Sequence, residues 1–189
     1  MKKVILAITG ASGSLYAVEF IDLVKDCKVE IHGIISDSGR QVLKLELGKD
    51  VDSLGPVFRW YDINDFAAPM SSGSARFDAM IVLPCTMGTL AAIANGISGN
   101  LIHRAADVCL KEKRPLILAV RETPLNRTHL QNMLKAHDAG AMICPPMPSF
   151  YHKPQSIQEM ARAFAGRLAD QLGIDVQGVK RWGDEDSAE

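Results

Sequence analysis

Apolar positions follow two rhythms along the chain. Unbroken runs at Val4–Thr9, Val29–Ile35, Ala79–Leu83, Pro115–Val120 and Ala141–Cys144 read as strands buried on both faces, because a strand with one wet face would alternate. Helical spacing takes over between them. It covers about Ser14–Lys25, a segment ending near Leu47 that Ser36, Asp37 or Ser38 can cap, and the stretch after Thr86. After a break at Gly96–Asn100 it resumes over Leu101–Glu112, then Thr128–Lys135 and about Ser156–Leu172. Strands alternating with helices predict a single-domain α/β fold. Its form is a Rossmann-like (flavodoxin-like), doubly wound, mainly parallel sheet with helices on both faces.

Residues 48–78 break both rhythms. They hold Gly48, Gly55, Pro56, Pro69 and the run Ser71-Ser72-Gly73-Ser74, and read as a long loop that either links or covers a ligand. The packed domain is expected over residues 1–175. An acidic tail, 176–189, is expected to be mobile, with its charge concentrated from Gly183 onward.

The 189-residue chain is 47% hydrophobic and 23% charged, values of an ordinary globular domain. A net charge of −1 gives no basic field for nucleic acid. Cys27, Cys85, Cys109 and Cys144 are widely spaced and form no CxxC pair, so neither a disulfide framework nor a zinc site is expected. The five histidines lack metal-ligand spacing, so no metal is assigned. The apolar start MKKVILAITG ends in a glycine turn rather than a cleavage site, and no run approaches the ~20 residues of a membrane span. The expected location is the cytoplasm.

Ligands of doubly wound sheets sit beyond the carboxyl ends of the strands. Those ends carry Gly10-Ala11-Ser12, Ser36, Thr86-Met87-Gly88-Thr89, Arg121-Glu122 and Pro148 to Tyr151. The turns Thr9–Ser14 and Pro84–Thr89 each join a strand to a helix. They can cradle a phosphate or flavin edge, or simply cap a helix with a hydroxyl. Arg121 and Glu122 read as a phosphate clamp with a proton-moving neighbour, or as a solvated pair. Arg104 and Lys111, seven apart, share a helix face that is either solvated or part of an anion pocket. The Pro148–Pro154 segment can close over a flat or apolar ligand, or can be a turn before the last helix.

In order, ITGASGS, the serine after the second strand, APMSSGS, VLPCTMGTLAAIANG, NLIHRAADVCLKEKRPLILAVRETPL and PPMPSFYHKPQS resemble the UbiX family of flavin prenyltransferases from Lys3 to about Leu172. That resemblance implies FMN at the carboxyl edge of the sheet, held by Gly10, Ala11, Ser12, Ser36, Thr86, Met87, Gly88, Thr89 and Arg121. It implies dimethylallyl phosphate as second substrate, bound by Tyr151 and Arg167 with Arg104, Lys111 and Arg121 around the phosphate. Ser12, Lys111 and Glu122 become catalytic candidates, as does Glu46, which is expected from a neighbouring subunit. A homododecamer is implied, with its pocket at subunit contacts and its product passed to a UbiD-type decarboxylase. Thr86 stands where many relatives have serine, and Gly88 where some have lysine. Trp60 and Trp182 lie outside the matching segments, which leaves Phe66 or Tyr151 to supply aromatic contact. The alternatives are an FMN-binding carrier subunit of a decarboxylase and a flavin-dependent cysteine decarboxylase. The latter carries P-A-S-A-N-T at the Pro84 turn and a catalytic histidine, neither of which is seen here.

Overall fold

A computed structural model describes residues 1–179 and 181–183. Its order is β1 (Lys2–Ile8), α1 (Ser14–Val24), β2 (Val29–Ile35), α2 (Asp37–Leu47), β3 (Arg59–Tyr61), β4 (Ala79–Cys85), α3 (Met87–Ala94), α4 (Leu101–Lys111), β5 (Leu116–Val120), α5 (Arg127–Asp138), β6 (Met142–Ile143) and α6 (Ile157–Gln171). The strands form one six-stranded sheet in the order β3-β2-β1-β4-β5-β6, every neighbouring pair parallel. This is the Rossmann order, whose direction reverses between β1 and β4.

The unbroken apolar runs follow from two cores. Val4, Leu6 and Ile8 of β1 face one way, into a core completed by Ala17, Phe20 and Ile21 of α1, Leu43 of α2, and Ala165 and Leu168 of α6. Ile5 and Ala7 face the other way, toward Leu90 of α3, Ala105 and Cys109 of α4, and Ala136 of α5. Period-two side chains thus feed both layers, and neither face of the strand can be polar.

The 48–78 segment holds more structure than its composition suggests. Two short 3-10 turns, Val51–Ser53 and Pro69–Ser71, anchor it through buried Val51 and Met70. β3 pairs with β2 at Arg59–Tyr61. Three residues at a sheet edge are too few for periodicity to register, so β3 is not legible in the sequence pattern. Its Trp60 lies across Gly33 of β2, where any Cβ would sit 2.3 Å from the indole. The packed body also runs past the expected boundary at 175, since Val176 is buried in the α1–α6 core. Residues 184–189, the acidic end of the expected tail, lie outside the described residues.

Thr9, at the end of β1, ties the sheet together where it reverses. Its N–H and its hydroxyl both donate to the Pro84 carbonyl, at 3.2 and 2.7 Å. The same Oγ1 accepts from the Thr86 N–H at 2.9 Å. On β2, buried His32 accepts from the Tyr61 hydroxyl at Nδ1 (3.0 Å) and donates from Nε2 to Glu30 (2.7 Å), the neutral tautomer that this pairing fits. Burial lowers its pKa from the usual histidine value, against the pull of Glu30.

Thr9→Val is expected to cost about 1–3 kcal/mol, because it leaves the part-buried Thr86 N–H without its acceptor and the Pro84 carbonyl with the Thr9 N–H alone; urea unfolding measures it. His32 stays neutral when folded at pH values where the unfolded histidine binds a proton. Stability should therefore fall as pH drops below the unfolded value near 6.5. Urea midpoints at about pH 7.5 and about pH 5.5, above the range where ordinary carboxylates titrate, should show a smaller fall in His32→Gln than in the parent.

Candidate active site

The turns after β1, β2, β4 and β5 meet at the carboxyl edge of the sheet. Gly10 lies so close to the first turn of α2 that a Cβ would sit 2.4 Å from the Ser38 hydroxyl. Ser36 caps α2: its Oγ accepts from the Gly39 N–H at 3.0 Å and shares a 3.1 Å hydrogen bond with Ser38 Oγ. Thr86 caps α3 in the same way, accepting from the Thr89 N–H at 3.2 Å and donating to Thr89 Oγ1 at 3.0 Å. Both hydroxyls are therefore helix caps, and each keeps lone-pair capacity for a further partner. Gly88, beside them, faces open space, since a Cβ there meets nothing within 4 Å. The Arg121 N–H donates to the Cys85 carbonyl at 3.1 Å, which fixes the start of the Arg121–Glu122 loop beside the Thr86 turn. Both side chains of that pair are exposed. Burial raises the pKa of Tyr16, and the Arg121 guanidinium opposes the shift, which places that charge near α1.

Glu46 reaches this edge from within its own chain. Its carboxylate accepts from the Gly13 N–H at 3.0 Å and the Ser14 N–H at 2.8 Å. Gly13, the N-cap of α1, has φ 113° and no side chain to cap with, so a carboxylate from α2 closes the helix end instead. Burial pushes the Glu46 pKa up. Hydrogen bonds from the Ser12 hydroxyl and the two N–H groups outweigh it, and the net shift is downward. A neighbouring subunit is not needed to bring this carboxylate to the β1 turn.

Tyr151 and Arg167 line a cavity of about 430 Å³ with Met147, Phe164 and Trp182. The Tyr151 and Trp182 rings meet edge to face with centroids 5.1 Å apart. Trp182 thus joins Tyr151, one of the two aromatics expected from the sequence, on the wall of this cavity. Only the fold of the last described residues, back over α6, reveals it. Phe164 connects this cavity to the β1 turn, because its ring packs against Tyr16 at 5.3 Å. Trp60 covers Gly33 and serves the sheet.

Arg104 and Lys111 belong to a different region of the protomer. Arg104 Nε donates to the Ser71 carbonyl at 2.9 Å and its Nη1 pairs with Asp107 at 2.8 Å. Lys111 pairs with Glu112 beside Gly73, and Arg114 Nη2 donates to the Gly73 carbonyl at 2.7 Å. The shared face expected for Arg104 and Lys111 is real, and it grips the Ser71–Gly73 loop. That loop is consequently a clamped element of the α4 layer. Lys111 closes α4 just before β5 begins, so it lies about one five-residue strand, roughly 16 Å, from the Arg121 end. In one protomer Arg104 and Lys111 thus hold the Ser71–Gly73 loop, and Lys111 lies at the opposite end of β5 from Arg121.

Among the described residues no cluster of three or more His, Cys, Asp or Glu side chains could hold a metal ion. Burial pushes the thiols of Cys85 and Cys109 up to about 12, which leaves both unreactive near neutrality. Thr9 and Ser38 were absent from the sequence-based site. A hydroxyl closing an apolar strand was the available signal for Thr9; Ser38 required the fold.

The Flavoprotein family model matches residues 1–165. Flavin prenyltransferase UbiX of Methanocaldococcus jannaschii is 46% identical over 182 residues, covering 96% of this chain and 98% of that protein. The enzyme of the same name from Methanothermobacter thermautotrophicus is 46% identical over 187 residues, covering 98% of each. A crystal structure of AnUbiX in complex with FMN and dimethylallyl pyrophosphate superposes with a TM-score of 0.93 at 41% identity, over 96% of this chain and 97% of that one. A dodecameric FMN-dependent UbiX-like decarboxylase from Escherichia coli gives 0.91 at 38% identity, over 95% and 98%. An FMN-dependent cysteine decarboxylase, at 18% identity, shares the fold alone with a TM-score of 0.61. Sheet order, strand-end turns and near full-length identity agree, and the chain belongs to the UbiX family of flavoproteins.

Proposed function

We infer that this protein is a flavin prenyltransferase. It joins the dimethylallyl group of dimethylallyl phosphate to N5 and C6 of reduced FMN, giving prenylated FMN for a UbiD-type decarboxylase. One observation carries the reading: the hydroxyl-capped turns after β2 and β4 converge with the carboxylate-capped turn after β1 and with Arg121 on one sheet edge, in a chain 46% identical to flavin prenyltransferases.

The residues present fit FMN. Gly10 lets the β1 turn close on α2 without a Cβ, and Gly88 leaves open space above α3. Helix N-termini and hydroxyls at Ser12, Ser36, Ser38, Thr86 and Thr89 suit a phosphate and the polar edge of a flat ring. Gly10, Ala11, Ser12, Ser36, Thr86, Met87, Gly88, Thr89 and Arg121 are the residues that would hold it. Bound in its reduced form, FMN supplies the nucleophilic ring nitrogen.

The chain's own groups then divide the work. Ser12, whose hydroxyl helps to hold the Glu46 carboxyl below its usual pKa, would steer a proton at the flavin ring nitrogen. Glu122 is exposed at the end of β5 and takes the proton lost at C6. Tyr151 and Arg167 bind the allylic phosphate in the cavity beside Phe164. Cationic groups there stabilise the charge that develops as phosphate departs, so none of these roles requires a metal. Arg104 and Lys111 lie away from Arg121 in one protomer and enter from a neighbouring copy. The dodecameric relative supports such an assembly. The AnUbiX structure contains the pyrophosphate, and the donor proposed here is the monophosphate. Among the described residues no helix is long and apolar enough to cross a membrane. A cytoplasmic location is part of this proposal.

Anaerobic incubation with FMN, dithionite and dimethylallyl phosphate should yield a flavin heavier by one C5H8 unit in mass spectrometry. Unmodified bound FMN would favour a carrier role, and product from the pyrophosphate alone would reassign the donor. Glu122→Gln should retain FMN and slow turnover by about 100-fold, within the usual range for loss of a general base. Loss of flavin from that variant would instead make Glu122 a structural residue.

A further inference from the structure

We propose that Gly166 and Asp170 of α6 are positioning residues that latch Val179 and Arg181 against the helix and so hold Trp182 as a wall of the donor cavity. The inference rests on the prenyltransferase reading of that cavity and assigns residues that act through Val179 and Arg181, Gly166 from outside the cavity and Asp170 from its lining.

Two separate contacts make the latch. Gly166 lies inside α6, and a Cβ there would fall 2.5 Å from Val179 Cγ1. Glycine weakens a helix interior relative to alanine, so its presence in α6 calls for a packing reason. Val179, seated on that bare patch of backbone, supplies one. One helical turn further on, Asp170 Oδ1 accepts from Arg181 Nη2 at 2.9 Å, and Oδ2 accepts from Arg181 Nε at 3.4 Å. The pair is partly buried, with the Asp170 side chain 23% exposed.

The residue after Arg181 is Trp182. It is 82% exposed, yet its ring meets Tyr151 edge to face at 5.1 Å. Tyr151 is itself half exposed, so neither ring is fixed by a core around it. What holds Trp182 on the cavity is the anchoring of its own backbone at Val179 and Arg181. Arg167, Asp170, Val179, Arg181 and Trp182 all line the same cavity. The latch therefore sets the distance between the aromatic wall and the Arg167 guanidinium.

The test uses the full-length, FMN-loaded protein in a Trp60→Phe background, which leaves Trp182 as its sole tryptophan. Dimethylallyl phosphate is titrated against Trp182 emission with oxidised flavin, so no turnover is needed. Gly166→Ala should weaken donor binding about fivefold or more, the scale of one lost side-chain anchor, while FMN affinity holds. The unfolding midpoint should not fall, because alanine is the better helix former. Adding Val179→Ala to Gly166→Ala restores the space and should restore donor affinity. Asp170→Asn should give a similar loss, raising KM more than it lowers kcat. Donor affinity within about twofold of the parent in both single variants would overturn the latch. So would an equal loss of FMN and donor, or a double variant without rescue. A parent protein that binds FMN but shows no donor binding in this titration would overturn the prenyltransferase reading itself, and the latch with it.

Discussion

The Thr9 hydroxyl joins the strand ends between which the sheet reverses. A parallel sheet leaves its central ends open at that point, with turns departing to opposite faces. Thr9 accepts from the Thr86 N–H and donates to the Pro84 carbonyl, so the β1 and β4 turns move as one body. Gly10, Ala11 and Ser12 on one side and Thr86 to Thr89 on the other can then face one ligand at fixed separation. The registered strands behind them transmit that rigidity from two apolar cores.

Electrostatics around the β1 turn follows from a missing cap. Gly13 adopts a backbone that favours glycine and brings no side-chain oxygen to the start of α1. The orphan N–H groups are met by the Glu46 carboxylate, and those bonds hold the acid in its charged form. Ser12 is thereby oriented by a carboxylate that is itself fixed at both ends, through α2 and through α1.

The residues proposed for the second substrate lie on two sides of one protomer. Tyr151 and Arg167 lie with Trp182 on the α6 side, whereas Arg104 and Lys111 clamp the Ser71–Gly73 loop on the α4 side. Lys111 precedes the amino end of β5 and Arg121 follows its carboxyl end. In the proposed reading, assembly of copies brings the two sets together.

The sequence by itself determined the layers and the edge where chemistry gathers. Its unbroken apolar runs required strands buried on both faces, and its helical spacings required two covering layers. The small and hydroxylated residues after Ile8, Ile35 and Cys85 marked the ligand edge, because turn chemistry is local and needs no partner to be legible. Tertiary structure decided the rest. β3 is a three-residue edge strand, given its place by Gly33 and Trp60. Glu46 reaches α1 because α2 packs beside it, and Trp182 reaches Tyr151 because Val179 settles on Gly166. Each is a contact between segments far apart in the chain, fixed by shape and burial, and neither periodicity nor composition carries that information.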